Sequence, residues 1–347
     1  MNYYVPEEIT KQEEGVCLSM GPKISVIMPV YNRENFVGQA VESILSQSFE
    51  DFEFIILDDC SRDGTRDVIR SFSDRRIRLI ANPQKGSIPK LRNQGMDLAQ
   101  GEYIAVMDSD DVAMPGRLER EKDFLDRNPD YGLVGSDIYQ IGAREEEGTA
   151  ELRTYPKGHL LLKYYTAFRC CFCNPTILLR KSVLDAHGIR HREDYFVASD
   201  YAFQVDLLPY TKFENLSEPC LKYRFYKDNI TNSSSRDREQ LLRRQAIITE
   251  IHKTAVRKLD IDLNEEQAEL FAAYTGESSR ILPPYEYLEH FKRLLEEITD
   301  RYQHVFGPAD AGAGGKELCK AGAEARRIET EMNPIPMCPG GRKGRRI

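Results

Sequence analysis

An apolar run at 103–107 stops abruptly at Asp108-Ser109-Asp110-Asp111. Carboxylate oxygens are hard ligands suited to Mg²⁺ or Mn²⁺, and a divalent ion held by them can neutralise a diphosphate. Two carboxylates separated by one residue at a strand end favour that use over the plainer one, in which Asp108 or Asp111 caps the following helix. Two other apolar runs also end in polar groups, one in Pro29-Val30-Tyr31-Asn32-Arg33 and one in Asp58-Asp59-Cys60-Ser61-Arg62-Asp63-Gly64-Thr65. Independent turns do not need Asp pairs at two of these places, so the three strand ends are expected to face one crevice. Neither GxxxxGK[ST] nor a GxGxxG after the first strand is present. Phosphate binding of the P-loop or dinucleotide-dehydrogenase kind therefore does not fit, and metal-mediated nucleotide binding is left.

Such a crevice requires strands released at one edge of a sheet, and the spacing supplies them. Residues 24–30 read as a buried strand, followed by Phe36, Val37, Ala40, Val41, Ile44 and Leu45 at helical spacing. The alternation continues with strands at 52–57, 77–80 and 103–107 and helices at 65–72 and 88–99, the mark of an α/β domain with a largely parallel sheet. Gly101 is expected to close the helix before it in a left-handed conformation. Further on, a helix is predicted at 115–127, strands at 132–135, 176–179 and 220–225, a helix at 201–208, and a polar, Glu-rich loop at 143–154. Beyond Asn232 a long helix of roughly 25 residues carries Leu241, Leu242, Ala246, Ile247, Ile251 and Ala255 on one face. Helix starts follow at 264–266 and 283–284, and the Gly-, Ala- and Pro-rich end, finishing in a basic run, reads as a flexible tail.

The chain has 347 residues, 41% hydrophobic and 30% charged, which excludes a fibrous or mainly disordered protein. Its 48 Lys plus Arg against 56 Asp plus Glu give a net charge of -8, which argues against a nucleic-acid partner. No apolar run approaches the roughly 18 residues of a membrane span, and residues 1–21 are acidic without a signal-peptide core. A cytoplasmic location is expected, with peripheral membrane contact open to the basic tail. The eight cysteines are too sparse for a disulfide scaffold, and Cys170, Cys171 and Cys173 lack the paired spacing of a zinc site. They read as reduced thiols in or near a core.

Three blocks stand in order: VIMPVYNRENFVGQAVESILSQSFEDFEFIILDDCSRDGT, KGSIPKLRNQGMDLAQGEYIAVMDSDD and MPGRLE. Through them, residues 24–135 resemble the nucleotide-binding half of family 2 glycosyltransferases with the GT-A fold. A weaker likeness runs through NPTILLRKSV, Ser199-Asp200 and LKYRFYKDNIT. The resemblance implies that Pro29, Tyr31, Arg33 and Asp59 hold the nucleoside base and that Lys85 and Arg92 lie near the nucleotide. It also places Asp108 by the ribose or sugar and makes Asp110 the ligand of Mn²⁺ or Mg²⁺ on the diphosphate. Asp200 matches the base that takes the acceptor proton, while Ser199 stands where a Glu is common. A helix N-cap is the plain alternative for Asp200, Glu193 and Asp194 compete for its role, and His187 and His191 lie near the acceptor segment.

The whole reading is an α/β GT-A fold, Rossmann-like, with an extension at 1–21 and a GT-A domain at 22–232. That domain divides into a nucleotide-binding half, 22–135, and an acceptor half, 136–232. A helical appendage occupies 233–305 and a flexible tail 306–347. The expected activity is inverting transfer of a hexose or N-acetylhexosamine from a nucleotide-sugar donor, foremost UDP-linked. The expected acceptor is a glycan or lipid-linked saccharide in surface polysaccharide synthesis. Two alternatives stay open. A sugar-phosphate nucleotidyltransferase is opposed by the missing Gly-rich basic first loop, and an inactive nucleotide-binding module by the intact Asp108, Asp110 and Asp200.

Overall fold

A computed structural model describes residues 21–143, 150–166, 169–226, 238–259 and 264–267. Strand β1 (Ile24–Val30) is buried at every residue, as a strand covered on both faces must be. It lies between β2 (Phe52–Asp58) and β4 (Tyr103–Val106), parallel to both, with β3 (Ile77–Ala81) beyond β2. Val30 is level with Asp58 and Ile27 with Val106, so the three chains leave the sheet side by side. Crossover helices α1 (Val37–Leu45), α2 (Thr65–Arg70) and α3 (Ile88–Leu98) connect them.

The second half joins β4 through a short antiparallel strand, β8 (Leu178–Arg180), which is also antiparallel to β6 (Tyr131–Ile141). Beyond β6, β9 (Lys212–Arg224) runs parallel to it, and β7 (Glu151–Arg153) pairs with β6 off the main path. With β5 (Val112–Ala113) at the far edge, the order is β3-β2-β1-β4-β8-β6-β9-β5. The last strand, β5, pairs with β9 and so ties the chain just after the acidic cluster to the end of β9. The remaining helices are α4 (Arg117–Arg127), α5 (His159–Thr166), α6 (Lys181–His187), α7 (Ser199–Leu207) and α8 (Arg238–Lys258).

Alternation along β1 feeds two cores. Ile27 joins Leu91, Met96, Tyr201 and Val205 on one face, and Val26 and Met28 join Val37, Val41 and Ile44 on the other. The face that holds α7 also buries Ile251, Ala255, Val256 and Leu259 from α8 and the turn after it.

The expected α/β architecture is the observed one, with a sheet that is parallel in its first half and mixed in its second. Gly101 departs from expectation: it is not left-handed. A Cβ there would meet the Ser25 backbone nitrogen at 2.5 Å, so close approach to β1 is what demands glycine. Residues 151–153 of the expected polar loop form β7. At 174–176 the chain makes a 3₁₀ turn, which delays the strand expected at 176–179 to Leu178–Arg180. β6 and β9 exceed their predicted spans, and α5 and α6 were not foreseen. Asn264 and Gln267 bond each other's backbone N–H groups at 3.0 and 2.9 Å, a reciprocal helix-start pair. The helix start at 283–284 and the tail lie outside the described residues. No helix among the described residues is long and apolar enough to cross a membrane.

Candidate active site

Asn32, Cys60 and Ala198, with φ of 49, 63 and 55°, are the non-glycine residues of positive φ among the described residues. Left-handed backbone costs an L-residue about 1–2 kcal/mol. Two of them stand side by side, just past β1 and just past β2, and the third opens α7. Asn32 N–H donates to Ser61 Oγ at 2.9 Å, Arg62 N–H to Asn32 Oδ1 at 2.9 Å, and Arg33 N–H to Thr65 Oγ1 at 2.7 Å. These bonds lace the first two strand ends together.

The Asp58-Asp59 pair divides its labour. Asp58 is fully buried and accepts from Ser61 N–H and, at 2.6 Å, from Arg66 Nε, so it builds the turn. Asp59 Oδ1 accepts Gly86 N–H at 2.5 Å and draws in the loop that carries Lys85. Lys85 Nζ lies 3.6 Å from the centroid of the Tyr31 ring, a cation–π contact. Pro29 is buried within β1 level with Leu57 and lies behind the Tyr31 turn. Tyr31, Asp59 and Lys85 are thus brought together.

At the end of β4, each carboxylate has different company. Arg92 Nη2 donates to Asp108 Oδ1 at 3.2 Å. Asp110 Oδ2 receives the Tyr226 hydroxyl at 2.6 Å and stands 3.3 Å from Arg33 Nε. Asp111 is buried; its Oδ1 accepts Arg224 N–H at 2.8 Å, and its Oδ2 has no hydrogen-bond partner. Burial, then the charge of Asp110, raises the Asp108 carboxyl above the usual range despite the opposing pull of Arg92, and Asp200 adds to the rise. Asp111 is pushed well up by burial and then by Asp108 and Asp110.

Asp200 is half-buried in the first turn of α7, and its Oδ1 accepts the N–H of Tyr201 at 3.0 Å. The N-cap is Ala198, with no side-chain cap bond, so the capping alternative for Asp200 is not realised. Glu193 and Asp194 are exposed, and Glu193 bonds Asn93. His191 is buried against Phe203, and His187 stacks on Tyr210 with ring centroids 3.8 Å apart. The described cysteines are free thiols; burial pushes Cys171 up to about 12.

Sequence reasoning assigned no role to Tyr226 or Arg224. Arg224 is buried, donates to the Asp110 carbonyl at 2.7 Å and to Gln39 Oε1 at 2.8 Å, and ties the acidic turn to β9 and α1. The run Tyr-Arg-Phe-Tyr at a strand end was the only local signal.

The donor set suits a hard dication. Asp108, Asp110 and Asp111 crowd one another, one buried carboxylate oxygen lacks a partner, and positive charge would relieve both. Among the described residues no three His, Cys, Asp or Glu side chains converge as a complete metal site.

Residues 25–188 match the family described as Glycosyl transferase family 2. The O-antigen biosynthesis glycosyltransferase WbnJ of Escherichia coli is 31% identical over 220 residues, 61% of this chain and 83% of WbnJ. The chain belongs to glycosyltransferase family 2. A second relative is WfgD of Escherichia coli, the UDP-Glc:alpha-D-GlcNAc-diphosphoundecaprenol beta-1,3-glucosyltransferase. It is 29% identical over 223 residues, 62% of this chain and 81% of WfgD. The fold of this family 2 glycosyltransferase matches S. aureus TarS 1–349, solved in complex with UDP-GlcNAc, with a TM-score of 0.57 and 20% identity. The match covers 81% of this chain and 82% of that one. The fold is GT-A.

Proposed function

We propose that this glycosyltransferase moves a hexose or N-acetylhexosamine from a UDP-sugar to a glycan or lipid-linked acceptor, with inversion, in surface polysaccharide synthesis. The observation that supports the reading most is the pairing of the strand-end carboxylates with arginines, Arg92 on Asp108 at 3.2 Å and Arg33 on Asp110 at 3.3 Å, in a chain whose first two strand ends bring Tyr31, Asp59 and Lys85 together. The activity named for WfgD supports the UDP-sugar and the lipid-linked acceptor, and that named for WbnJ supports the polysaccharide role. Catalysis at the cytoplasmic membrane face belongs to the same proposal, as do the division at residue 232 and a catalytic unit spanning 22–232.

Pro29, Tyr31 and Asp59 receive the base, and Lys85 lies beside it. Arg33 and Arg92 put two guanidinium groups beside the carboxylates where diphosphate charge would fall. Asp110, with Asp108 beside it, would hold Mn²⁺ or Mg²⁺. Such an ion, when bound, stabilises the charge of the departing diphosphate. Asp200 accepts the proton of an acceptor hydroxyl as its oxygen attacks the anomeric carbon opposite the leaving group. One displacement of this kind inverts the anomeric centre and needs no covalent sugar–enzyme intermediate.

The test is a thermal-shift panel of UDP, GDP, CDP and dTDP with Mn²⁺, Mg²⁺ or EDTA. A ligand at a hundredfold excess over its dissociation constant stabilises by about 2.7 kcal/mol, and a metal-dependent shift confined to UDP is expected. No shift with any nucleotide would overturn the donor reading, and pyrophosphate as product would point to a nucleotidyltransferase.

A further inference from the structure

Arg92 and Asn93 are neighbours on α3 with different partners. Arg92 turns to Asp108. Asn93, also buried, turns to the acceptor half: its Oδ1 accepts the N–H of His191 at 2.8 Å, and its Nδ2 donates to the His191 carbonyl at 2.9 Å and to Glu193 Oε1 at 3.1 Å. An amide that pairs with both backbone groups of one residue grips it as a bridging strand would, fixing position and rotation together. His191 in turn lies under the first two turns of α7. Its ring stacks on Phe203, centroids 4.3 Å apart and 13° between planes, and its Nδ1 is 3.4 Å from the Ser199 carbonyl oxygen. Ser199 precedes Asp200. Two direct contacts therefore connect the helix that touches Asp108 to the helix that carries Asp200.

We propose that Asn93 is a positioning residue that registers Asp200 against the donor site through the backbone of His191. Binding of the donor, by ordering α3 through Arg92, then orders the start of α7. The inference rests on the donor and base assignments above. Its reach is large because misplacing a reacting group by about 1 Å costs up to ~100-fold in rate.

The experiment is amide hydrogen exchange on the full chain, with Mn²⁺ alone and with Mn²⁺ plus UDP, for the wild type and Asn93→Ala. Thermal shift reports UDP binding in the same samples. In the wild type UDP is expected to slow exchange across 191–203 by roughly tenfold. In Asn93→Ala the UDP shift persists and the slowing disappears. A UDP shift without slowing in the wild type, or equal slowing in the variant, overturns the proposal and leaves the donor reading standing. Absence of any UDP shift in the wild type overturns the donor reading and the proposal with it. Where Asn93→Ala does not fold, Asn93→Asp takes its place: it keeps the Oδ1 that accepts the His191 N–H and loses the donor to the His191 carbonyl, so the slowing is expected to shrink while the UDP shift persists, and unchanged slowing overturns the proposal.

Discussion

At the residue scale, the roles proposed for Asp110 and Asp200 come from strong local patterns, the end of an apolar strand and the start of a helix, and the structure places the two residues at those positions. Asp110→Asn is expected to weaken Mn²⁺-dependent UDP binding at least about tenfold, since it removes charge that faces the diphosphate; unchanged affinity by titration would remove Asp110 from the ion site. Asp200→Asn is expected to retain UDP binding and to lower turnover by about 10²–10⁴-fold, the range of general-base catalysis. Wild-type turnover in that variant would end its assignment. Tyr226 and Arg224 were not legible, because the pairing of β5 with β9 delivers them across more than a hundred residues and nothing nearby in the chain marks the destination. Two histidines carry a prediction of a different kind. His159 Nδ1 accepts the N–H of Phe213, and burial, then Lys163 and Lys212, push the ring down to about 4. His191 is lowered to about 3 by burial and then by Arg92. Both take up a proton near 6.5 when unfolded and not when folded, so falling pH favours the unfolded chain. Stability is expected to decline from about pH 6.5 towards pH 4, by roughly 1–2 kcal/mol per histidine between pH 7 and 5. Urea midpoints at the two pH values measure this. His191→Phe, which keeps a ring against Phe203, should remove part of the fall, and an identical fall in that variant would contradict the account.

The elements of the first half follow the sequence pattern closely because β1, β2 and β3 pair in chain order through single crossover helices and only β4 returns to β1, so period and order carry most of the information. In the second half that economy is lost. β8 is inserted between β4 and β6 although it is made much later than either, β5 has two residues, and β7 is an exposed Glu-Leu-Arg with no apolar face. Periodicity has nothing to register in such short pieces. Gly101 shows how a correct residue can be read for the wrong reason: a turn was expected, and contact with β1 is what it provides. Gly101→Ala is expected to destabilise by about 1–3 kcal/mol through overpacking, because the new methyl would stand 2.7 Å from the Ile24 carbonyl carbon as well as against Ser25. Denaturant unfolding checks it, and a neutral effect would show that β1 and the loop can separate.

Over the whole molecule, α8 is a brace. Ile251, Ala255 and Val256 are buried against the core that contains α7, and each buried aliphatic side chain of Val or Ile size contributes about 1.5–3 kcal/mol. A chain ended at residue 237 is expected to melt well below the full chain, and an unchanged melting temperature would show that α7 stands without its cover. The order of the strands also has a history. β1 to β4 are complete by Val106, and Asp110 and Asp111 follow at once, yet the arginine that covers them arrives only at the end of β9. At the usual pace of synthesis that interval is on the order of ten seconds. Until residues 178–180 are made, the side of β4 that will receive β8 is an open strand edge, a template for any foreign strand. A product cut short between β5 and β8 is therefore not a slow enzyme. It is an acidic half-sheet with a sticky border, and its fate is aggregation or proteolysis.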